Sequence, residues 1–427
     1  MKLAINLNVL AIPVLLLAGQ SDAGAPLPPP SPDSAAMAAL GKLLFNDPNL
    51  SASNKQSCAS CHAPQNAMLA PNTLSVQLGG AELNLQGLRN VPSAAYALFT
   101  PPPKTNNQGK LKGGVMLDGR SASLATQAQL PFLAANEMAN ASSTVVKIKL
   151  LGRPYFAQYL ALFGSASLNN PDITLTNMAQ AIALYEQTDP AFRLFSSKFD
   201  AFLAGKAQLS TAETNGMNLF NNPGKGNCAA CHDSTSHNGI PPLFTDYSFH
   251  ANGVPRNWKI TYNLDSTILP DFLPQNGLSL GAPNHQFYDL GACGPLRTDQ
   301  SGNTSTCGQF KVPSLRNTAL KGAYEHNGVF SSLQQVLSFY NNRDLTPAVF
   351  YKKADGITPD IPYNDLPVAY QSNIDNPPPF HLLPGKQAVL QPSEINAIII
   401  FLCTLTDGYN PSNPSAYPYP KQCSNAN

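Results

Sequence analysis

Two pentapeptides constrain this chain more than any other feature: Cys58-Ala-Ser-Cys61-His62 and Cys228-Ala-Ala-Cys231-His232. The parts of C-x-x-C-H do different jobs. The two thiols add across the vinyl groups of haem as thioethers, and the adjacent histidine supplies the proximal nitrogen to iron. A bare C-x-x-C would serve equally as a redox dithiol or half a zinc site. Two copies, each with the histidine and each behind a helical lead-in, leave little room for those readings. The expectation is two covalent c-type haems, one on Cys58, Cys61 and His62, the other on Cys228, Cys231 and His232.

The lead-ins repeat as well. Ala36 to Phe45 and Ser210 to Phe220 both place apolar residues at helical spacing. Ser210 with Glu213 is a capping-box pattern that starts the second. Helix, short loop and haem motif thus occur twice, as in a duplicated cytochrome c unit. Each unit should close with a helix: Asn177 to Tyr185, running toward Phe195, and the capped apolar run Ser393 to Leu402. Between Asp233 and Phe310 the pattern is broken by Pro, Gly and Asn, which suggests loops and a few short strands. The fold class expected is mainly α: two cytochrome c-like haem domains with long loops and a few short strands. A boundary near Ala204–Leu209 gives an N-terminal domain over 24–206 and a C-terminal domain over 207–427.

Residues 1–23 read as a secretory signal. Lys2 is followed by an apolar run from Leu3 to Leu17 and the small-residue exit Ser21-Asp22-Ala23-Gly24, with cleavage after Ala23. Asn6, Asn8 and Pro13 interrupt the run, and it is short for a membrane span. The mature chain should be periplasmic, with no membrane span. This fits the motifs, because bacteria attach haem c outside the cytoplasm. Charged residues are only 12% and the net charge is +1, so no basic footprint for nucleic acid or a membrane surface is present. Four cysteines remain: Cys293, Cys307, Cys403 and Cys423. They allow three pairings in an oxidising compartment. Cys293–Cys307 with Cys403–Cys423 closes two short loops rich in Gly, Pro, Asn and Ser, and is the pairing expected.

The histidines bear on what the haems do. An open iron does peroxide chemistry, whereas a closed one transfers electrons. The seven are His62, His232, His237, His250, His285, His326 and His381. Only His62 precedes the second motif, so the first haem has no second histidine in its own half. Met68, Met116 and Met138 are its remaining candidate ligands there, although core filling suits each of them better. An open first haem is expected.

The stretch Phe310-Lys311-Val312-Pro313-Ser314-Leu315-Arg316-Asn317, followed by Tyr324-Glu325-His326-Asn327-Gly328-Val329-Phe330, resembles the bacterial di-haem cytochrome c peroxidases and their relative MauG. Arg89-Asn90-Val91-Pro92-Ser93, Asp118-Gly119-Arg120 and Phe249-His250-Ala251-Asn252-Gly253 are further landmarks of that resemblance. It runs from about Leu40 to Gly408. It implies a peroxidatic N-terminal haem and an electron-relaying C-terminal haem. It also implies a distal pocket of Gln127, Pro131 and a catalytic Glu137, in which the carboxylate moves the proton needed for O–O heterolysis. The partners implied are hydrogen peroxide and a small electron donor, a cytochrome c or cupredoxin.

Three departures from the family pattern stand out. Nothing matches the distal histidine that many of these peroxidases must release before turnover. Tyr340 stands where the peroxidases place a Met and MauG a Tyr, which makes it a candidate ligand to the second iron. Leu117 stands where the family often has a Trp between the haems, and the only Trp is Trp258. The resemblance further implies a calcium ion on the Asn90 side chain and the backbone carbonyls of Lys321 and Ala323, with Ala323 in place of a usual Pro. It implies that His326 orders the haem surroundings, although a lone histidine there also reads as a satisfied core residue. Two alternatives to a peroxidase remain: a MauG-like oxidase acting on a residue of a partner protein, and a non-enzymatic di-haem electron carrier.

Overall fold

The computed structural model describes residues 32–264, 287–377, 379–380, 386–417 and 419–423. The proposed signal segment, His285 and His381 lie outside them. Helix α1 (Pro32–Asn46) comes first. Leu40 and Leu44 are four residues apart, so they share one helical face, and both are fully buried. A one-turn helix, α2 (Cys58–Cys61), carries the first motif. Two antiparallel ribbons follow: β1 (Leu78–Gly79) with β2 (Leu85–Gln86), then β3 (Lys104–Thr105) with β4 (Leu111–Lys112). Helices α3 (Leu124–Leu133), α4 (Ser143–Leu151), α5 (Phe156–Phe163), α6 (Pro171–Thr188) and α7 (Lys198–Leu203) complete the first half.

The second half begins with α8 (Thr211–Asn221). Its N-cap is Ser210, and the Ser210–Glu213 capping box is present as expected. The second motif forms a 3₁₀ turn (Cys228–Ala230). Then come β5 (Phe249–His250), α9 (Thr261–Leu264), β6 (Phe310–Lys311) paired antiparallel to β5, α10 (Leu333–Asn342), α11 (Pro347–Phe350) and α12 (Pro392–Cys403). The fold is mainly helical with a few two-residue strands, as the sequence patterns suggested.

Two helix crossings organise the molecule, and they are copies of one another. In the first half α1 lies across α6, and a Cβ on Gly41 would fall 1.9 Å from Ala181 O and 2.9 Å from Tyr185 Cβ. In the second half α8 lies across α12, and a Cβ on Gly216 would fall 1.9 Å from Ala397 O and 2.9 Å from Phe401 Cβ. Only glycine admits backbones this close. The aromatic after each glycine repeats too: Phe45 packs edge-on to Tyr185 at 5.6 Å, and Phe220 edge-on to Phe401 at 5.3 Å. Each crossing anchors its own core, one around Leu40, Phe132 and Ile182, the other around Phe220, Phe339 and Ile398. Helix α7 sends Phe199 into the second core, edge-on to Phe401.

The sequence pattern placed the closing helices correctly but set their ends differently. Helix α6 starts at Pro171, because Asn170 caps it and accepts from Asp172 N–H, and it ends before Asp189-Pro190. Helix α12 is capped by Gln391 rather than at Ser393. Cys293–Cys307 and Cys403–Cys423 are both bonded, with Cα separations of 4.8 and 6.1 Å. The second ties the C-terminal segment to the end of α12. Loops of this length gain about 3 kcal/mol each from the cross-link in the chain-entropy view. Among the described residues no helix is long and apolar enough to cross a membrane.

The halves are joined by buried polar contacts. Asp407 accepts from Tyr96 O–H at 2.7 Å, Ser196 N–H at 2.9 Å and Asn317 Nδ2 at 2.7 Å. Arg316 makes a two-pronged bond to Asp200 at 2.9 and 2.8 Å. Its guanidinium lies against both the Tyr96 and Phe195 rings, 4.9 and 4.5 Å from their centroids.

Candidate active site

The first motif opens onto a cavity of about 470 Å³. Cys58, Cys61 and His62 form one side. Gln127, Pro131 and Glu137 line the same cavity, so all three residues implied for the distal pocket converge with the motif. Their positions follow from local chain logic. Ser123 caps α3, which carries Gln127 and Pro131. The helix stops at Ala134, and the chain turns so that Glu137 N–H bonds Ala134 O at 2.9 Å and Met138 N–H bonds Pro131 O at 3.0 Å. Strand β1 braces this turn: Gly80 N–H donates to Glu137 O at 2.8 Å, and a Cβ on Gly79 would meet Asn136 O at 2.2 Å.

Burial raises the proton affinity of the Glu137 carboxyl, and the Arg120 charge partly opposes this. Arg120 lines the cavity and is itself held by Asp118, 2.8 Å away. Burial pushes His62 down to about 4, so its imidazole is neutral, the form that binds metal. Its Nδ1 is buried without a hydrogen bond; the nearby Met68 and Pro92 backbones favour the protonated ring without reaching hydrogen-bond geometry. Among the described residues no second histidine lines this cavity. Met68 is fully buried in the helical core, while Met116 and Met138 line the cavity.

The second motif opens onto a cavity of about 420 Å³. His232 is fixed where His62 is not: its Nδ1 lies 2.9 Å from Phe244 O. Tyr340, from α10, lines this cavity with Cys228, Cys231 and His232. Its hydroxyl donates to Glu325 Oε1 at 2.9 Å and accepts from Asn252 Nδ2 at 3.4 Å. Burial and the Glu325 charge push the phenol well up, so it is a neutral donor in this structure. A ferric ion beside it would act in the opposite direction. His326 stacks on Phe310 at 3.8 Å and lies 3.3 Å from Asp365. His250 is raised to about 10, chiefly by its 2.9 Å contact with Asp375.

A thin wall separates the cavities. Asn90, Pro92 and Leu117 border both of them. Behind the wall, Arg89 bridges Asp118 at 2.7 Å and Asp289 at 2.6 Å, which joins the two halves through a buried ion cluster. Trp258 stands elsewhere, its indole N–H bonded to Lys352 O.

Voids of this size are foreign to a close-packed interior. Each is walled mainly by apolar side chains and presents the two free thiols and the histidine of its motif, and His250 and His326 also line the second. That donor set is what a covalent haem requires, and both cavities fit one. The calcium expectation does not fit. Asn90 Oδ1 accepts from the Lys321 ammonium at 2.8 Å, and Lys321 O accepts from Gln422 Nε2 at 2.8 Å. The side-chain oxygen that would have to bind the ion is thus held by a cation, and one carbonyl is already engaged.

The geometry defines a two-haem c-type redox protein with unlike sites. A family model described as di-haem cytochrome c peroxidase matches residues 35–208. The methylamine utilization protein MauG of Paracoccus denitrificans is 33% identical over 384 residues, covering 88% of this chain and 90% of that protein. The cytochrome c551 peroxidase of Nitrosomonas europaea is 28% identical over 366 residues, covering 82% and 89%. The crystal structure of the dihaem peroxidase BthA from Burkholderia thailandensis has a TM-score of 0.77 and 31% identity, covering 89% of this chain and 87% of that one. The chain belongs to the di-haem cytochrome c peroxidase and MauG family of oxidoreductases, which carry two c-type haems.

Sequence reasoning missed one ionisable group of the first cavity. Glu186, on α6, is only 7% exposed and lines the cavity, where burial raises it to about 8. The signal was available: Ala179, Ile182 and Glu186 fall on one helical stripe, and a carboxylate on an apolar stripe is rarely idle. Glu325, the partner of Tyr340, was likewise read only as part of a motif.

Proposed function

We propose that this protein is a periplasmic peroxidase that reduces hydrogen peroxide to water with electrons from a small cytochrome c or cupredoxin. The observation that carries this reading is a carboxyl, Glu137, that lines the same cavity as Cys58, Cys61 and His62. Bound haem supplies the iron that takes peroxide and delivers the two electrons of its reduction. The residues supply the rest. A carboxyl of raised proton affinity accepts a proton from one peroxide oxygen and returns it to the other, which leaves as water. The Gln127 amide can donate to the bound oxygen, and Pro131 presents no N–H to compete. The apolar wall keeps bulk water from the exchange. Two further protons and two electrons from the donor complete the conversion to two waters. On the other side, His232 and Tyr340 are the groups that would hold the relaying iron.

The presence of Tyr340 beside His232 supports a second reading, a MauG-like oxidase acting on a partner protein. Leu117 weighs against it, because an aromatic stepping stone between the sites is absent there. Steady-state kinetics separate the two. A peroxidase oxidises reduced cytochrome or cupredoxin at a rate that saturates in peroxide. Absence of peroxide-dependent donor oxidation, with both haems bound, would overturn the first reading. A high-spin ferric EPR signal would set aside the pure electron carrier, which needs both irons six-coordinate.

A further inference from the structure

A half-buried ammonium in the second cavity reaches the wall that the two cavities share. Lys321 ends a 3₁₀ turn (Thr318–Leu320), and its side chain runs back to the first half. Its Nζ donates to Asn90 Oδ1 at 2.8 Å and reaches Val91 O at 3.4 Å. Asn90 is fixed to receive it. Its Nδ2 donates to Ser75 O at 3.0 Å, and its backbone N–H donates to His326 O at 2.7 Å. The amide oxygen is therefore aimed at the ammonium, within the wall shared by both cavities.

A calcium ion would need that same oxygen at about 2.3–2.6 Å, with five or more other oxygens around it. Two cations on one amide oxygen repel each other, and the Lys321 carbonyl is already engaged. Glu325 lies within electrostatic reach of Lys321 and accepts from Tyr340 O–H; burial draws the ammonium down and the carboxyl up, and the charge of each partly offsets the shift of the other. His62 on one side and Glu325 on the other both sense the Lys321 charge.

We infer that the Lys321 ammonium is the resident cation of the junction between the two haem sites, standing in place of a divalent metal ion. The junction's positive charge is then covalent. It does not depend on free calcium and is not removed by a chelator. A fixed cation beside both haem sites favours their reduced forms, so its loss moves both midpoint potentials in the negative direction. This inference rests on the haem sites and is independent of whether peroxide is the substrate.

The test uses the di-haem holoprotein. After dialysis against calcium and then calcium-free buffer, elemental analysis should find far less than one calcium per chain. Calorimetric titration with calcium chloride should give no saturable heat, and EGTA should leave the haem absorption and EPR spectra unchanged. One retained calcium per chain, a saturable heat or an EGTA-sensitive spectrum would overturn the inference. In Lys321→Met, spectroelectrochemistry should show both potentials moved negative; potentials that stay in place would also overturn it. If that variant fails to fold, the wild-type metal measurements decide alone. Peroxidase activity enters none of these readouts, so failure here is distinct from failure of the proposed function.

Discussion

Gly216 lies against Ala397 so closely that a Cβ on the glycine would sit 1.9 Å from the alanine carbonyl oxygen, and Gly41 repeats the relationship with Ala181. Adding a methyl group there must push α8 off α12. The overpacking costs about 1–3 kcal/mol, partly offset by about 1 kcal/mol from alanine's better helix propensity. Gly216→Ala should therefore lower the thermal unfolding midpoint and disturb the second haem's absorption first, whereas Gly41→Ala should disturb the first haem's. Scanning absorbance during thermal unfolding of the holoprotein checks this. Equal disturbance of both haems by both variants would contradict two separate crossings.

Glu137→Gln keeps the shape of the side chain and removes the exchangeable carboxyl proton. Peroxide turnover should fall by about 10²–10⁴-fold while a pyridine haemochrome assay still counts two haems. An unchanged rate would remove Glu137 from the mechanism.

Gly79→Ala tests the positioning of the same residue without touching it. The new methyl would meet Asn136 O at 2.2 Å and Glu137 Cα at 2.9 Å, so the turn must move. A displacement near 1 Å costs about 10²-fold in kcat/KM. Gly152→Ala is the control, since its nearest contact would be an ordinary 3.6 Å.

The two haem motifs, the duplication and the closing helices were legible because each is written in local spacing. Gly41 to Phe45 and Gly216 to Phe220 have the same pattern, and the helices follow from it. Glu186 was legible only in part: its stripe with Ala179 and Ile182 is local, but the cavity it faces is assembled from residues far apart in the chain. Lys321 escaped for the same reason. Its side chain is aimed by Asn90, 231 positions away, and nothing near Lys321 in sequence announces that. The Asn90 oxygen that the resemblance assigns to calcium accepts from Lys321 here: the resemblance transferred backbone positions but could not show where a new side chain would go.

Glu186 gives stability a pH dependence of definite sign. Its folded-state value of about 8 lies above the ordinary carboxyl value of 4.5, so the folded chain binds more protons than the unfolded chain between those limits. Stability from this group is present below about pH 4.5 and is lost as pH rises toward about 8. Glu186→Gln should erase that slope, with a gain over wild type that grows through the window to at most roughly 5 kcal/mol. Denaturant unfolding of holoprotein at pH 5 and pH 9 measures it; equal differences at both pH values would contradict it.

Asp200 has the opposite sign. Burial pushes its carboxyl up, but the Arg316 guanidinium and the Ser197 bonds more than offset this and hold it below 3.8. Its contribution is complete above about pH 4 and is lost as pH falls below that value. Asp200→Ala leaves Arg316 buried and unpaired, and should cost about 3–5 kcal/mol at neutral pH. Differential scanning calorimetry of the variant at pH 7 and pH 3 should show the deficit shrinking in acid.

The wall formed by Asn90, Pro92 and Leu117 is one residue thick where it borders both cavities. No substitution at Leu117 is private to one site. A bulkier side chain intrudes on two pockets at once, and a smaller one loosens both. Selection on either site is therefore felt by the other, and the pair must evolve as a single unit.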